Sequence, residues 1–307
     1  MRVIFIGTGD IGLPVLRWLE KSDEHKLIGV VTQPDKPVGR EQRITPPPIK
    51  TALTSSAIPV LQPRRIKAPE AVEEIRALAP EVIVVIAYGQ ILPRAVLEIP
   101  SVACLNLHAS LLPRHRGAAP IQAAILAGDR DTGITVMYMD EGLDTGDMLL
   151  QTRIAIAPDA TGGSLHHRLA ELAPDALREA LRQLADRTAP RIPQDPALAT
   201  YAPKLEREHG RIDWNEPAEL IERKIRAFDP WPGTYTIVRE RKLKIFTASI
   251  TSKALPPAEV AVIGEELLIG ARDGSLRIGE LQVEAKKRMR AADFIRGNPW
   301  IVGARCD

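Results

Sequence analysis

The run Cys104-Leu105-Asn106-Leu107-His108 carries two polar side chains in an otherwise apolar stretch. As a strand, its period of two turns Asn106 and His108 to one face at the carboxyl end of the segment. Open α/β sheets bind ligands beyond the carboxyl ends of their strands, so a reacting group placed there would meet both. An Asn amide donates to a carbonyl or a developing oxyanion, and a His gives or takes a proton near neutral pH. Together they suit acyl-type transfer. Either residue alone could equally cap a turn or bond backbone, so the neighbouring segments carry the weight.

Ser110-Leu111-Leu112-Pro113-Arg114-His115-Arg116-Gly117 follows at once, and the loop Gly142-Leu143-Asp144-Thr145-Gly146-Asp147 comes after the next strand-like run. Asn-x-His, then Ser-Leu-Leu-Pro-x-x-Arg-Gly, then an Asp between glycines resembles the folate-dependent formyltransferase family. Thr32-Gln33-Pro34-Asp35-Lys36-Pro37-Val38-Gly39-Arg40 resembles a loop of the branch of that family that acts on methionyl-tRNA, and Leu143 to Met148 favours the same branch. Arg211-Ile212-Asp213-Trp214 and Arg226-Ala227-Phe228-Asp229-Pro230-Trp231-Pro232 are similar to the start of that branch's C-terminal domain. The resemblance therefore runs nearly end to end.

It implies a Rossmann-like α/β domain followed by a mainly β, OB-fold-like barrel. The implied reaction carries the formyl group of 10-formyltetrahydrofolate to the α-amino group of initiator methionyl-tRNA, for translation initiation. By motif position, Asn106, His108 and Asp144 would be catalytic, Ser110, Leu111, Leu112 and Pro113 would line the folate site, and Arg40 would face the tRNA acceptor end. Asn106 and His108 would hold the formyl oxygen as the amine attacks, while Asp144 would orient His108 and help relay the amine proton. Neither a metal nor NAD enters this chemistry. A flat, largely apolar pterin fits a crevice between the strand end Ile86-Ala87-Tyr88-Gly89 and the loop from Asp140 to Gly146.

Overall charge does not announce a nucleic-acid partner, since Lys and Arg number 41 against 39 Asp and Glu. Local patches are needed. The proline-rich segment 32–50 carries Lys36, Arg40, Arg43 and Lys50 and reads as an exposed loop able to meet phosphates. Glu41 and Gln42 stand where lysines are common in the family, which predicts a weaker or reshaped contact. Basic runs at Arg239 to Lys244 and Lys286 to Arg290 could follow a phosphate backbone or form solvated surface. Trp214 and Trp231 are expected to pack in cores or interfaces rather than stack on bases.

Gly7-Thr8-Gly9-Asp10-Ile11-Gly12 matches the dinucleotide fingerprint G-x-G-x-x-G. The second strand, however, runs into Thr32-Gln33-Pro34-Asp35-Lys36, a poor setting for the acidic residue that would hold a ribose. The glycines read instead as a tight strand-to-helix turn. A formyltransferase acting on a nucleotide sugar would share Asn-x-His and Ser-Leu-Leu-Pro but leave the 32–40 loop and the second domain unexplained. A non-enzymatic tRNA-binding module would leave Asn106, His108 and Asp144 without a task.

Elements that could position these groups follow from periodicity. Residues 2–7, 27–31, 82–86 and 102–107 read as strands, separated by helical patterns through Leu13, Leu16 and Leu19 and over 71–78. Such alternation predicts parallel strands with crossover helices. Helices starting at Pro120 and spanning 165–184 and strands at 134–139 and 148–156 complete a catalytic domain over 1–188. A proline-rich linker over 189–205 leads to a mainly β domain over 206–307, with a helix at 218–228 and strands at 235–238, 243–250 and 267–271.

The apolar stretch at the start is too short for a signal peptide or membrane helix, so a cytoplasmic, membrane-free monomer is expected. Cys104 and Cys306 lack metal-site or redox spacing and read as structural thiols.

Overall fold

A computed structural model of the chain describes residues 1–39 and 41–307, so Arg40 lies outside the described residues. Seven strands form the main sheet: β1 (Arg2–Gly7), β2 (Lys26–Val31), β3 (Val60–Leu61), β4 (Val82–Ile86), β5 (Ala103–His108), β6 (Asp131–Tyr138) and β7 (Met148–Ala155). Their order across the sheet is β7-β6-β5-β4-β1-β2-β3. Pairing is parallel from β3 to β5, as the alternation of strands and helices predicts. β6 runs antiparallel to β5, and β6 and β7 form a hairpin, whose loop carries Asp144.

The centre of this sheet is buried on both faces. Val3, Ile4, Phe5, Ile6, Val82, Ile83 and Val84 are fully enclosed, each apolar side chain contributing ~1.5–3 kcal/mol on leaving water. Helix α1 (Leu13–Glu20) turns Val15, Leu16 and Leu19 inward, and α2 (Pro69–Ala77) does the same with Ala71, Val72 and Ile75. These spacings of three and four residues make one apolar stripe per helix.

Strand order reverses between β1 and β4, which opens a crevice beyond their carboxyl ends. The loops leaving the two strands touch there, with the Gly9 amide donating to Ala87 O at 3.5 Å. A Cβ on Gly7 would lie 2.9 Å from Ile86 O, and one on Gly12 would lie 3.0 Å from the Ile86 side chain. Close packing of the turn on β4 accounts for both glycines.

The chain divides into two compact units: one comprises Met1–Pro120, Asp131–Ala155 and His166–Ala202, the other Ile121–Arg130, Ile156–Leu165 and Pro203–Asp307. Helix α3 (Pro120–Ala127) thus goes almost wholly with the second unit, and α4 (Gly162–Ala185) begins in it and continues in the first. Within the first unit, the segment after α4 is tied down: Ile192 exchanges backbone hydrogen bonds with Met148, and Tyr201–Ala202 pairs in parallel with Arg116–Gly117.

In the second unit β8 (Thr234–Val238), β9 (Arg241–Thr251), β10 (Val260–Ile263), β11 (Glu266–Ala271) and β12 (Gly274–Val283) form an antiparallel sheet in the order β8-β9-β12-β11-β10. The final residues bridge its two edges. Cys306 N donates to Ala258 O at 2.9 Å, and Asp307 N donates to Ile237 O at 2.9 Å, closing the sheet into a barrel. Helices α5 (Ala218–Ala227) and α6 (Ala291–Gly297) contribute Ile221, Ile225 and Phe294 to its core. Trp214 is buried there, its indole N–H donating to Thr236 Oγ1 at 3.0 Å. Trp231 corrects the sequence expectation: at 49% exposure it is not a core residue.

In this unit β10 and β12 escape the periodicity reading, as the two-residue β3 does in the first. β10 is four residues long, and β12 interrupts its apolar positions with Arg277, Gly279 and Glu280. No helix among the described residues is long and apolar enough to cross a membrane.

Candidate active site

β5 places Asn106 and His108 as its period of two predicts, with His108 buried and Asn106 half-buried. Asp144 joins them from the β6–β7 loop, in the left-handed region at φ 54°, which Asp tolerates better than most residues. Asn106 Nδ2 donates to Asp144 Oδ1 at 3.4 Å, and His108 Nδ1 lies 3.6 Å from Asp144 Oδ2. Two groups from one strand thus share one carboxylate supplied by a separate loop.

The contacts of His108 fix its tautomer. Its Nε2 is 2.9 Å from His115 O, and a carbonyl can only accept, so Nε2 carries the hydrogen and donates. Nδ1 is then the nitrogen able to take up a proton, and it faces Asp144. At 6% and 13% exposure, His108 and the Asp144 side chain are shielded enough for such an exchange to proceed with little competing water.

The Ser110–Pro113 run lies beside this constellation, with Ser110 and Leu112 buried and Leu111 and Pro113 half-buried. Ser110 Oγ donates to Arg114 O at 2.7 Å, so its hydroxyl holds the turn. Thr135 Oγ1 donates to Ser110 O at 2.6 Å and accepts from Leu112 N at 3.1 Å, while Gln151 Nε2 donates to Leu112 O at 2.7 Å. The turn is thereby fastened to β6 and β7.

At the crevice, Ile86 ends β4 and is buried, and Gly89 is exposed at φ 85° with open space where a Cβ would stand. The Tyr88 ring points away from it, into the core among Ile4, Ile6, Ile66 and Val96. Burial pushes the Tyr88 phenol up to about 12, and no described group bonds its oxygen. Its carbonyl accepts instead from Thr8 Oγ1 at 3.0 Å and Gln33 Nε2 at 3.3 Å, so Tyr88 offers backbone to the crevice. Asp140 is turned onto its own loop, accepting from Thr145 Oγ1 at 2.8 Å and Gly142 N at 3.1 Å.

Segment 32–50 is more ordered than a bare loop: Lys36–Val38 and Arg43–Thr45 pair as an antiparallel ribbon. Lys36 and Arg43 are exposed on it. Lys50 Nζ donates to both carboxylate oxygens of Asp35, at 2.9 and 2.8 Å, and Gln62 Nε2 donates to Oδ1 at 2.8 Å. These bonds hold the Asp35 carboxyl below the usual carboxylate range and clip the two ends of the ribbon together.

Three further residues shape the site, and none of them is assigned a role from the sequence alone. Gly117 N donates to Asp144 Oδ2 at 2.8 Å, and Gln194 and Arg116 flank the same loop. Gly117 and Arg116 sat within the motif without a role, and Gln194 fell in the proline-rich segment. Among the described residues no group of three or more His, Cys, Asp or Glu is placed to hold a metal ion.

A doubly wound α/β sheet that gathers an amide, an imidazole and a carboxylate beside its switch-point crevice defines a group-transfer enzyme. The family model for formyl transferase matches residues 1–181, and that for formyl transferase, C-terminal domain, matches 204–299. The chain belongs to the formyl transferase family. The methionyl-tRNA formyltransferase of Geobacter metallireducens is 47% identical over 97% of this chain and 96% of its own length, and that of Akkermansia muciniphila is 47% identical over 97% of each.

Solved structures share the fold at lower identity. An N-formyltransferase from Helicobacter canadensis, in complex with folinic acid and dTDP-3-aminofucose, superposes with TM-score 0.68 at 18% identity, covering 94% of this chain and 99% of its own. Methionyl-tRNA formyltransferase from Clostridium thermocellum superposes with TM-score 0.58 at 18% identity, over 82% of this chain and 94% of its own.

Proposed function

We propose that this enzyme transfers the formyl group of 10-formyltetrahydrofolate to the α-amino group of methionine on initiator methionyl-tRNA, releasing tetrahydrofolate and formylmethionyl-tRNA. The convergence of Asn106 and His108 on Asp144 carries the reading. Full-length similarity to relatives named for this reaction supports the choice of acceptor.

In the reaction the amine nitrogen bonds to the formyl carbon, the bond from that carbon to the folate nitrogen breaks, and the one proton lost by the amine is balanced by one gained at the folate nitrogen, which leaves as N–H. Asn106 holds Asp144 through a bond of 3.4 Å, long enough to be given up for the formyl oxygen as negative charge grows on it. Donors of this kind are worth ~10²–10³ in rate. Nδ1 of His108 takes the amine proton, and Asp144 steadies the ring as it becomes charged.

The folate lies along the crevice formed by Ile86, the Tyr88 backbone, Gly89 and the Ser110–Pro113 turn, with the loop from Asp140 beside it. Lys36 and Arg43 on the ribbon, and Arg40 between them in sequence, meet acceptor-end phosphates. Residues 1–188 carry the chemistry, and 206–307, joined through 189–205, face the tRNA.

Formyl transfer assayed with initiator and with elongator methionyl-tRNA tests this directly. Formylation of the initiator in strong preference to the elongator is expected. Absence of transfer to either, or thermal stabilisation by NAD and not by a folate, would overturn the proposal.

A further inference from the structure

Gln194 uses the whole of its side-chain amide on the loop that carries Asp144. Its Nε2 donates to Asp144 O and to Gly146 O, both at 2.8 Å. Its Oε1 accepts from Arg116 Nε at 3.0 Å and from Arg116 Nη2 at 2.8 Å. Two N–H groups and two lone pairs are all that a glutamine amide has, and all four are engaged. Only one orientation of the amide satisfies them, because both carbonyls can only accept and the guanidinium can only donate.

These partners, the Asp144–Gly146 backbone and the Arg116 side chain, belong to the two segments that orient the Asp144 carboxylate. One is the Asp144–Gly146 loop itself, where Asp144 is left-handed and a Cβ on Gly146 would lie 1.8 Å from Tyr138 O. The other is Arg116–Gly117, whose glycine amide donates to Asp144 Oδ2. Gln194 is itself held from both sides in sequence: Ile192 is bonded to Met148, and Thr200 O accepts from Arg116 N at 2.9 Å. It therefore acts as a fixed peg between the loop and the glycine.

We infer that Gln194 is a positioning residue for Asp144, setting the carboxylate against Asn106 and His108. The inference rests on the proposed role of Asp144 in formyl transfer. It concerns a side chain that touches no reacting atom and works through the Asp144–Gly146 backbone and the Arg116 guanidinium.

Two substitutions separate its contacts. Gln194→Glu keeps acceptors for Arg116 but replaces the donors to Asp144 O and Gly146 O with an oxygen that repels them, whereas Gln194→Met removes both sets. Both variants are expected to lose ~10–100-fold in kcat, the scale of sub-ångström to ångström misplacement, with KM for the formyl donor and for methionyl-tRNA within about twofold of wild type. In an Asp144→Ala background, Gln194→Met is expected to cost nothing further, because the group it positions is gone.

Wild-type turnover in Gln194→Glu would overturn the inference and leave Gln194 as a support for Arg116 alone. A loss from Gln194→Met that persists in full in the Asp144→Ala background would overturn it in favour of a general structural role. Wild-type turnover in Asp144→Ala would remove the role of Asp144 and the inference with it, an outcome distinct from either of the others.

Discussion

Gly117 donates its backbone N–H to Oδ2 of Asp144 at 2.8 Å, the same oxygen that lies 3.6 Å from Nδ1 of His108. A rigid backbone donor thus orients the carboxylate that a side-chain imidazole must address. Gly117 sits at φ 113°, and a Cβ there would stand 2.6 Å from Ala202 O. Gly117→Ala must therefore shift backbone on one side or the other. The expected cost is ~1–3 kcal/mol of stability from the strained conformation and ~10²-fold in kcat from a displaced carboxylate. Chemical denaturation and steady-state kinetics check the two, and a variant that keeps wild-type turnover would show that this bond does not set the geometry.

Asp144→Asn keeps the shape of the side chain but removes its charge, and Asn106→Ala removes the donor proposed for the formyl oxygen. Each is expected to lower kcat by ~10²–10³-fold. Binding of methionyl-tRNA, measured by filter retention, should stay within about twofold of wild type, because neither residue lies on the basic ribbon.

On that ribbon Arg43 Nε is 2.8 Å from Glu41 Oε2, with the two side chains 82% and 73% exposed. An exposed pair of this kind is worth at most ~1 kcal/mol, so a phosphate can displace the carboxylate but must compete with it. Glu41→Gln is expected to lower KM for methionyl-tRNA by ~2–5-fold at about 50 mM salt, with the advantage fading near 200 mM. An unchanged KM at low salt would mean that Arg43 does not meet the RNA.

Burial pushes the Cys104 and Cys306 thiols up to about 12, and the Tyr88 phenol as well. Folding thus favours the protonated forms of all three. Their contribution to stability is complete below the unfolded thiol pKa of ~8.5 and is lost as pH rises from there towards 12. The denaturation midpoint should fall between pH 8 and pH 10, and less steeply in Cys104→Ala. A thiol reagent at pH 8 should find both cysteines inert until the chain is unfolded, and rapid modification of the native protein would contradict this.

Much of the fold was legible because it is local. The alternation of apolar runs with helical stripes predicts β1, β2, β4 and β5 and their parallel pairing, and the close approach of Gly7 and Gly12 to Ile86 fits the reading of the glycine turn as packing. The barrel was only half legible, since β10 is four residues long and the last closing contacts are made by Arg305 to Asp307, which carry no strand pattern. Trp231 was misread because hydrophobicity alone does not say whether a turn faces water.

Asn106 and His108 on one face of one strand is a consequence of the sequence itself, because a strand's period of two leaves no other arrangement. The order of the motifs likewise determined the family and its chemistry. Tertiary structure alone decided that Asp144, 38 residues beyond Asn106, meets that face, that Gln194 braces it from 50 residues further on, and that Tyr88 turns its ring into the core. Contacts across such separations depend on how sheet order and loop paths bring distant backbone together, which no local periodicity encodes.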